Sequence, residues 1–159
     1  MTNFQRNSLW LATAGKAQTP ENVSVQYGCH LEEIAEMLHE TTFLSTTGIT
    51  SSAMQEVSAV LSALADNLKL GHAQVVVHDK VAFLDAICDQ GVTGDGVAYL
   101  MGFDKDGADK AVIDANFDKF IDGVPVIKPG GKIGKREGWV APDLTPFVPS
   151  EPTPEAPHV

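Results

Sequence analysis

The sequence predicts an all-α protein, a bundle of about five helices followed by an irregular Pro- and Gly-rich C-terminal tail. Apolar residues recur at helical spacing, and strand-like alternation is missing apart from a short extended candidate at Val124–Ile127. From Asp122 the texture turns to Gly, Pro and Lys, and six of the nine prolines follow Ala141.

The first helix is expected at about Asn3 to Thr13, on a thin stripe of Phe4 and Leu11. The second has the clearest start. Thr19 can cap it, Pro20 suits the first helical position and Glu21 favours the first turn. It is expected to run to about Leu44. The third begins near Ser51 or Ser52, carries Met54, Val57, Val60, Leu61, Leu64 and Leu68, and ends at Gly71. The fourth covers roughly Val75 to Gly102, where Gly91, Gly94 and Gly96 point to a kink or a close helix crossing. The fifth runs from about Asp106 to Phe120. One domain is expected over residues 1–147, with a Pro-rich extended tail at 148–159.

A chain of 159 residues is one domain's worth. Its net charge of -10, from 21 acidic and 11 basic residues, argues against a nucleic-acid partner, because phosphate backbones need a basic surface. A small anionic substrate remains compatible if metal ions bring the positive charge. No apolar run approaches the roughly 20 residues that span a bilayer. The opening MTNFQRNSLWLATAG has no continuous apolar stretch of the signal-peptide kind. No membrane association is expected, and the location expected is the cytoplasm (the host's, if the chain is viral). Cys29 and Cys88 lie inside predicted helices and read as buried free thiols.

The second helix contains LEEIAEMLHE, residues 31–40. At about 100° per residue, Glu32, Glu33, Glu36 and Glu40 share one side, with Ile34, Met37 and Leu38 on the other. Alone, such an acidic face reads as a solvated surface. The fourth helix adds VAFLDAICDQGV, residues 81–92, where Asp85 and Asp89 stack at i and i+4 among apolar neighbours. Neither has a Lys or Arg at helical spacing, and two like charges so close repel unless a cation sits between them. Facing the glutamates across a helical interface, they would make five converging carboxylates, an all-oxygen set suited to Mg²⁺ or Mn²⁺. The alternative is that the two aspartates line an exposed stripe or cap a neighbouring helix.

This order of features resembles the all-α nucleoside triphosphate pyrophosphohydrolases, the MazG-like enzymes. EExxE is followed about 50 residues on by a paired-acid helix, and then by DANFDKFIDGVPVIKPGGKIGKREGWVAPDL, residues 114–144, which is similar to the tail of phage-type members. Within the family the likeness is greatest to the small phage enzymes called MazZ, which remove pyrophosphate from dGTP. One departure stands out. The family's ExxD becomes Asp85-x-x-x-Asp89, with Ala86 in the glutamate's place.

The resemblance implies a MazG-like helical bundle and two or three Mg²⁺ or Mn²⁺ ions held by Glu32, Glu33, Glu36, Asp85 and Asp89. Glu33 or Glu36 would act as catalytic carboxylates, with Glu33 as general base. The ions would neutralise the triphosphate and activate water, giving a nucleoside monophosphate and pyrophosphate, with dGTP or GTP as the expected substrate. Asn116 and Lys119, at i and i+3, would hold phosphate oxygens, with Lys132, Lys135 and Arg136 adding to them. Gly130 and Gly131 would let the backbone approach the substrate. Trp10 and Leu11 are candidates for a base pocket, although core or interface residues are the stronger reading of each. His30, His39, His72 and His78 form no ligand set. A homodimer or homotetramer is expected, because a fourth helix apolar on several sides needs more cover than one small chain provides.

Two other readings fit parts of the sequence. A carboxylate di-metal bundle needs Glu-x-x-His on two helices. Here Glu36-x-x-His39 supplies one, and Glu155-x-x-His158 falls in the Pro-rich tail. A non-catalytic module would use the acidic face to bind a basic partner.

Overall fold

The computed structural model describes residues 1–42, 51–128 and 131–150. These form five helices, α1 (Asn3–Thr13), α2 (Pro20–His39), α3 (Ser51–Lys69), α4 (Lys80–Leu100) and α5 (Lys105–Phe117), with a 3-10 turn at Thr145–Phe147. The expected all-helical architecture is the one found. Val124–Ile127 is no strand. It belongs to two isolated bridges, Ile121 with Val124 and Ile127 with Ile133. Asp122 and Gly123 both take positive φ and turn the chain tightly between Ile121 and Val124.

Local chemistry sets the helix ends. Thr2 caps α1 in a reciprocal capping box with Gln5. The Thr19 hydroxyl accepts from Asn22 N at the start of α2. α2 stops at His39, short of the expected Leu44, and residues 43–50 lie outside the described residues. Thr41 and Thr42 follow, and the Thr41 hydroxyl donates to Leu38 O in place of the next helical bond. α4 starts five residues later than expected. Three consecutive valines, Val75 to Val77, disfavour helix, and Asp79 caps instead, accepting from Val81 N at 2.8 Å and Ala82 N at 3.0 Å. α5 ends at Phe117, and Lys119 and Phe120 continue as turns.

The main packing unit is the α2–α3 hairpin, and small residues make it close. Ser24, Gly28 and Ala35 are the buried face of α2, against Ser58, Ala65 and Leu68 of α3. A Cβ on Gly28 would lie 2.8 Å from Ala65 O and 3.0 Å from Leu68 Cβ. The Ser58 hydroxyl donates to Ala35 O across the interface at 2.9 Å. Of the apolar α3 stripe read from the sequence, Leu68 is buried, while Val57, Val60 and Leu64 remain exposed.

A second unit joins α1 to α5. Trp10 stacks on Phe120, its Nε1 donates to Asn116 O at 2.8 Å, and Ile113 is buried beside them. The 3-10 turn closes on the start of α5, where Asp104 N donates to Phe147 O. α4 touches α2 along one face only, with Phe83 stacked on Tyr27 and Gln90 bonded to His30. Near its C-terminal end Asp95 pairs with Lys105 of α5 at 3.2 Å. Much of the rest is open, Val81 being 80% and Leu100 83% exposed, and Cys88, expected to be buried, is exposed as well. It runs helical through Gly91, Gly94 and Gly96, and no described residue lies within 4 Å of where their Cβ atoms would be. Among the described residues there is therefore no close helix crossing there. No described helix is long and apolar enough to cross a membrane.

The close approach at Gly28 gives a direct test. Gly28→Val would ordinarily alter a helix only modestly, but here its methyls meet backbone. It is expected to cost about 1–3 kcal/mol. That is a fall of roughly 2–12 °C in Tm by circular dichroism. An unchanged Tm would contradict the packing described.

Candidate functional site

A cleft of about 250 Å³ opens where α1, α2, the end of α5 and the loop around residue 132 meet. Trp10 from α1, Glu32 and Glu33 from α2, Asn116 from α5, then Lys119 and Lys132 all line it. Six of the residues singled out in the sequence, separated by more than 100 positions, are thus brought to one place.

Glu32 organises the cleft. One carboxylate oxygen accepts from Lys69 Nζ at 2.6 Å and the other from Lys132 Nζ at 2.6 Å. Burial by itself would raise the Glu32 pKa. The hydrogen bonds and charges of Lys132 and Lys69 outweigh it and hold the carboxyl below the ordinary range. Lys69, which also pairs with Asp66 at 3.0 Å, titrates high, because those bonds exceed the cost of its burial. Glu33, one residue on, is the reverse case. Burial raises its pKa first, and the charges of Glu36 and Glu32 push the same way. No ion pair reaches Glu33 or Glu36 among the described residues. Burial also raises the Cys29 thiol, which lines the same cleft.

Glu33 stands on a divide. Its other side lines a second cleft of about 500 Å³, with Glu36, His39, Glu40, Ser58 and Ser62. The cationic cleft and this acidic shelf meet at one carboxylate.

Lys119 donates to Asn116 Oδ1 at 2.6 Å. Burial lowers its pKa first, and the nearby charge of Lys135 adds to that. Lys135 lies over the Trp139 ring. Arg136, expected to assist with phosphate, is instead engaged with Asp118, to which it donates two bonds of 2.8 Å. Gly131 lines the cleft, and Lys16 Nζ donates to its carbonyl. Gly130 lies outside the described residues.

Asp85 and Asp89 do not join the glutamates within one chain. α4 turns Phe83, Ala86, Ile87 and Gln90 to α2. At about 100° per residue this puts both aspartates on its other side. They are exposed there. Among the described residues no group of three or more His, Cys, Asp or Glu is arranged to hold a metal. The expected five-carboxylate convergence is thus corrected for the single chain. Glu33 and Glu36 fit the donor chemistry of a hard cation, being oxygen-only, adjacent and unpaired, whereas both oxygens of Glu32 are taken.

Sequence reading missed Lys69 and Trp139. Lys69 meets Glu32 only because two antiparallel helices bring positions 37 apart together, and no local pattern signals that. Trp139, the one aromatic in a Gly- and Lys-rich loop, was a visible signal. Comparisons with known protein families, with curated proteins and with solved structures found no match to this chain.

Glu32→Gln tests the organising role. Removing the charge between two lysines is expected to cost about 1–3 kcal/mol at neutral pH. Since the folded carboxyl titrates below its unfolded value, this advantage is complete above the unfolded pKa and fades as pH falls through the folded one. Melts against pH should show the wild-type and variant curves starting to converge as pH falls below about 4. A constant gap down to pH 2 would show that Glu32 acts other than through its charge.

Proposed function

We propose that the protein is a metal-dependent nucleoside triphosphate diphosphohydrolase, of the MazG-like kind that its motifs resemble. The observation that carries this reading is the single cleft in which Lys119, Lys132, Asn116 and Trp10 face Glu33. In an acidic chain, a lysine-lined cleft bordering an acidic shelf fits a ligand that is anionic and metal-associated.

Lys119, Asn116 and Lys132 hold phosphate oxygens in this reading, and Trp10 offers a ring face to the base. Glu33, which lines both clefts, is placed to accept a proton from the attacking water at the seam between them. A Mg²⁺ or Mn²⁺ ion on Glu33 and Glu36 would supply charge neutralisation and activation of water. Asp85 and Asp89 reach such a site only where assembly of chains brings α4 to it. The products are a nucleoside monophosphate and pyrophosphate, and guanine is favoured as the base by the MazZ resemblance alone.

A homo-oligomer is part of the proposal. A folded monomer of this mass exposes about 7,700 Å². This chain exposes 11803 Å². The residues not described, taken at ~1.45 Å² per dalton, account for at most about 3,000 Å². More than about 1,000 Å² is left to cover, above the roughly 800 Å² per partner of a standard interface. Exposed Val60 and Leu64 on α3, and Val81 and Val92 on α4, are where it lies.

A carboxylate di-metal protein is the second reading, favoured by Glu36 and His39 lining one shelf together with Glu33 and Glu40. Bound iron with visible absorbance on oxidation would support it.

Incubation with each standard NTP and dNTP plus Mg²⁺ or Mn²⁺ is expected to yield monophosphate and pyrophosphate. Diphosphate with orthophosphate would refute the assignment. Asp89→Asn should lower turnover by at least about 100-fold, a loss of roughly 3 kcal/mol in barrier terms, with the helical circular dichroism unchanged. Light scattering after size exclusion should give a dimer or tetramer, and Val60→Glu or Val92→Glu should shift it toward monomer. A wild-type monomer at micromolar concentration would remove the oligomer from the proposal.

A further inference from the structure

Lys119 and Lys135 form no ion pair among the described residues, in a chain of net charge -10. They sit on indoles instead. Lys119 Nζ lies 5.8 Å from the Trp10 ring centre and 5.4 Å from that of Trp139, and Lys135 Nζ lies 4.4 Å from Trp139. Both rings are fixed. Trp10 Nε1 donates to Asn116 O and Trp139 Nε1 to Ala115 O, each at 2.8 Å. Adjacent carbonyls of α5 therefore set the two rings just before Lys119 in the chain. Trp10 is further held by its stack on Phe120, 6.2 Å between centres and 3° from parallel.

A ring face attracts an ammonium group without neutralising it. The pair therefore keeps its full positive charge. Half-burial and the mutual repulsion of the two lysines both press against the Lys119 charge. The aliphatic stems gain packing on the rings, which fixes where the charges stand. An incoming anion would find two cations already placed, with little ordering left to do.

We propose that Trp139 is a positioning residue, which together with Trp10 holds Lys119 and Lys135 as a fixed cation pair for a polyphosphate anion. Naming that anion as the phosphate chain of a nucleotide rests on the hydrolase reading. The pair itself does not, since it needs neither metal nor turnover. Trp139 shapes affinity for the anion and leaves the chemistry at Glu33 alone.

The chain has two tryptophans, and both belong to this cluster. Trp10→Phe therefore leaves Trp139 as the sole indole reporter. Titration of that variant with inorganic tripolyphosphate, without divalent metal, is expected to shift its emission saturably as the anion's charge arrives beside the ring. By calorimetry, Trp139→Leu should weaken tripolyphosphate binding about tenfold and Trp139→Phe, which keeps a ring face, threefold or less. Lys135→Met, at an exposed position, should give a loss like that of Trp139→Leu without touching the packing of the ring. With nucleotide and metal, Trp139→Leu should raise KM and spare kcat. Unchanged emission, or Trp139→Leu and Lys135→Met binding as tightly as the wild type, overturns the proposal. Tripolyphosphate binding by a chain that splits no nucleotide upholds the cation pair and sinks only the hydrolase reading. Nucleotide cleavage with tripolyphosphate affinity indifferent to Trp139 and Lys135 does the reverse.

Discussion

Everything around the cleft hangs on how closely α2 and α3 approach at Gly28. With no side chain there, the Ala65 carbonyl and the Leu68 Cβ come to where a Cβ would otherwise be. The stem of Lys69 crosses the same spot, its Cγ 3.1 Å from the absent Cβ. That lays the lysine along α2 toward Glu32, one helical turn further on, where its ammonium group bonds one carboxylate oxygen. The other oxygen takes Lys132 and so ties the C-terminal loop to the hairpin. A single missing methyl thus leads, through one lysine and one glutamate, to the wall of the cleft.

Charge explains why the neighbours of Glu32 behave differently. Glu32 is neutralised from two sides, so it is the structural acid of the motif. Glu33 forms no ion pair among the described residues, is partly buried, and feels Glu36 and Glu32 as like charges. It is the acid with an unmet electrostatic need. Lys119, which lines the same cleft, and Lys135 beyond it have the complementary need and are steadied by rings rather than carboxylates. A molecule of net charge -10 keeps these cations unquenched in one place. α4 shows the same incompleteness in apolar form, since one face meets α2, Asp95 near its C-terminal end pairs with Lys105 of α5, and Val81, Val92 and Leu100 stay exposed.

Much of this was legible beforehand, and the exceptions have physical reasons. Helix starts at Thr2, Thr19 and Asp104 follow from side chains that bond backbone a turn ahead, which is local information. The false helical start at Val75 came from reading apolar content where β-branching and the Asp79 cap decide the matter. The buried face of α3 is not legible from its hydrophobic stripe, whose Val57, Val60 and Leu64 stay exposed. The close helix pair selects small residues instead, and Ser58 and Ala65 carry no strong hydrophobic signal. Trp10, Glu32, Glu33, Asn116, Lys119 and Lys132 line one cleft because helices distant in sequence pack together, which no local pattern records.

The sequence by itself determined the all-helical class and most helix boundaries. These depend on interactions within a few positions of the chain. Only the tertiary structure decided that Glu32 is spent on two lysines, that Arg136 is held by Asp118, that Trp139 carries two ammonium groups, and that Asp85 and Asp89 face away from the glutamates. Each depends on which face one helix turns to another. A periodic pattern leaves that rotation open, and it is set by close packing at a few small residues, Gly28 foremost.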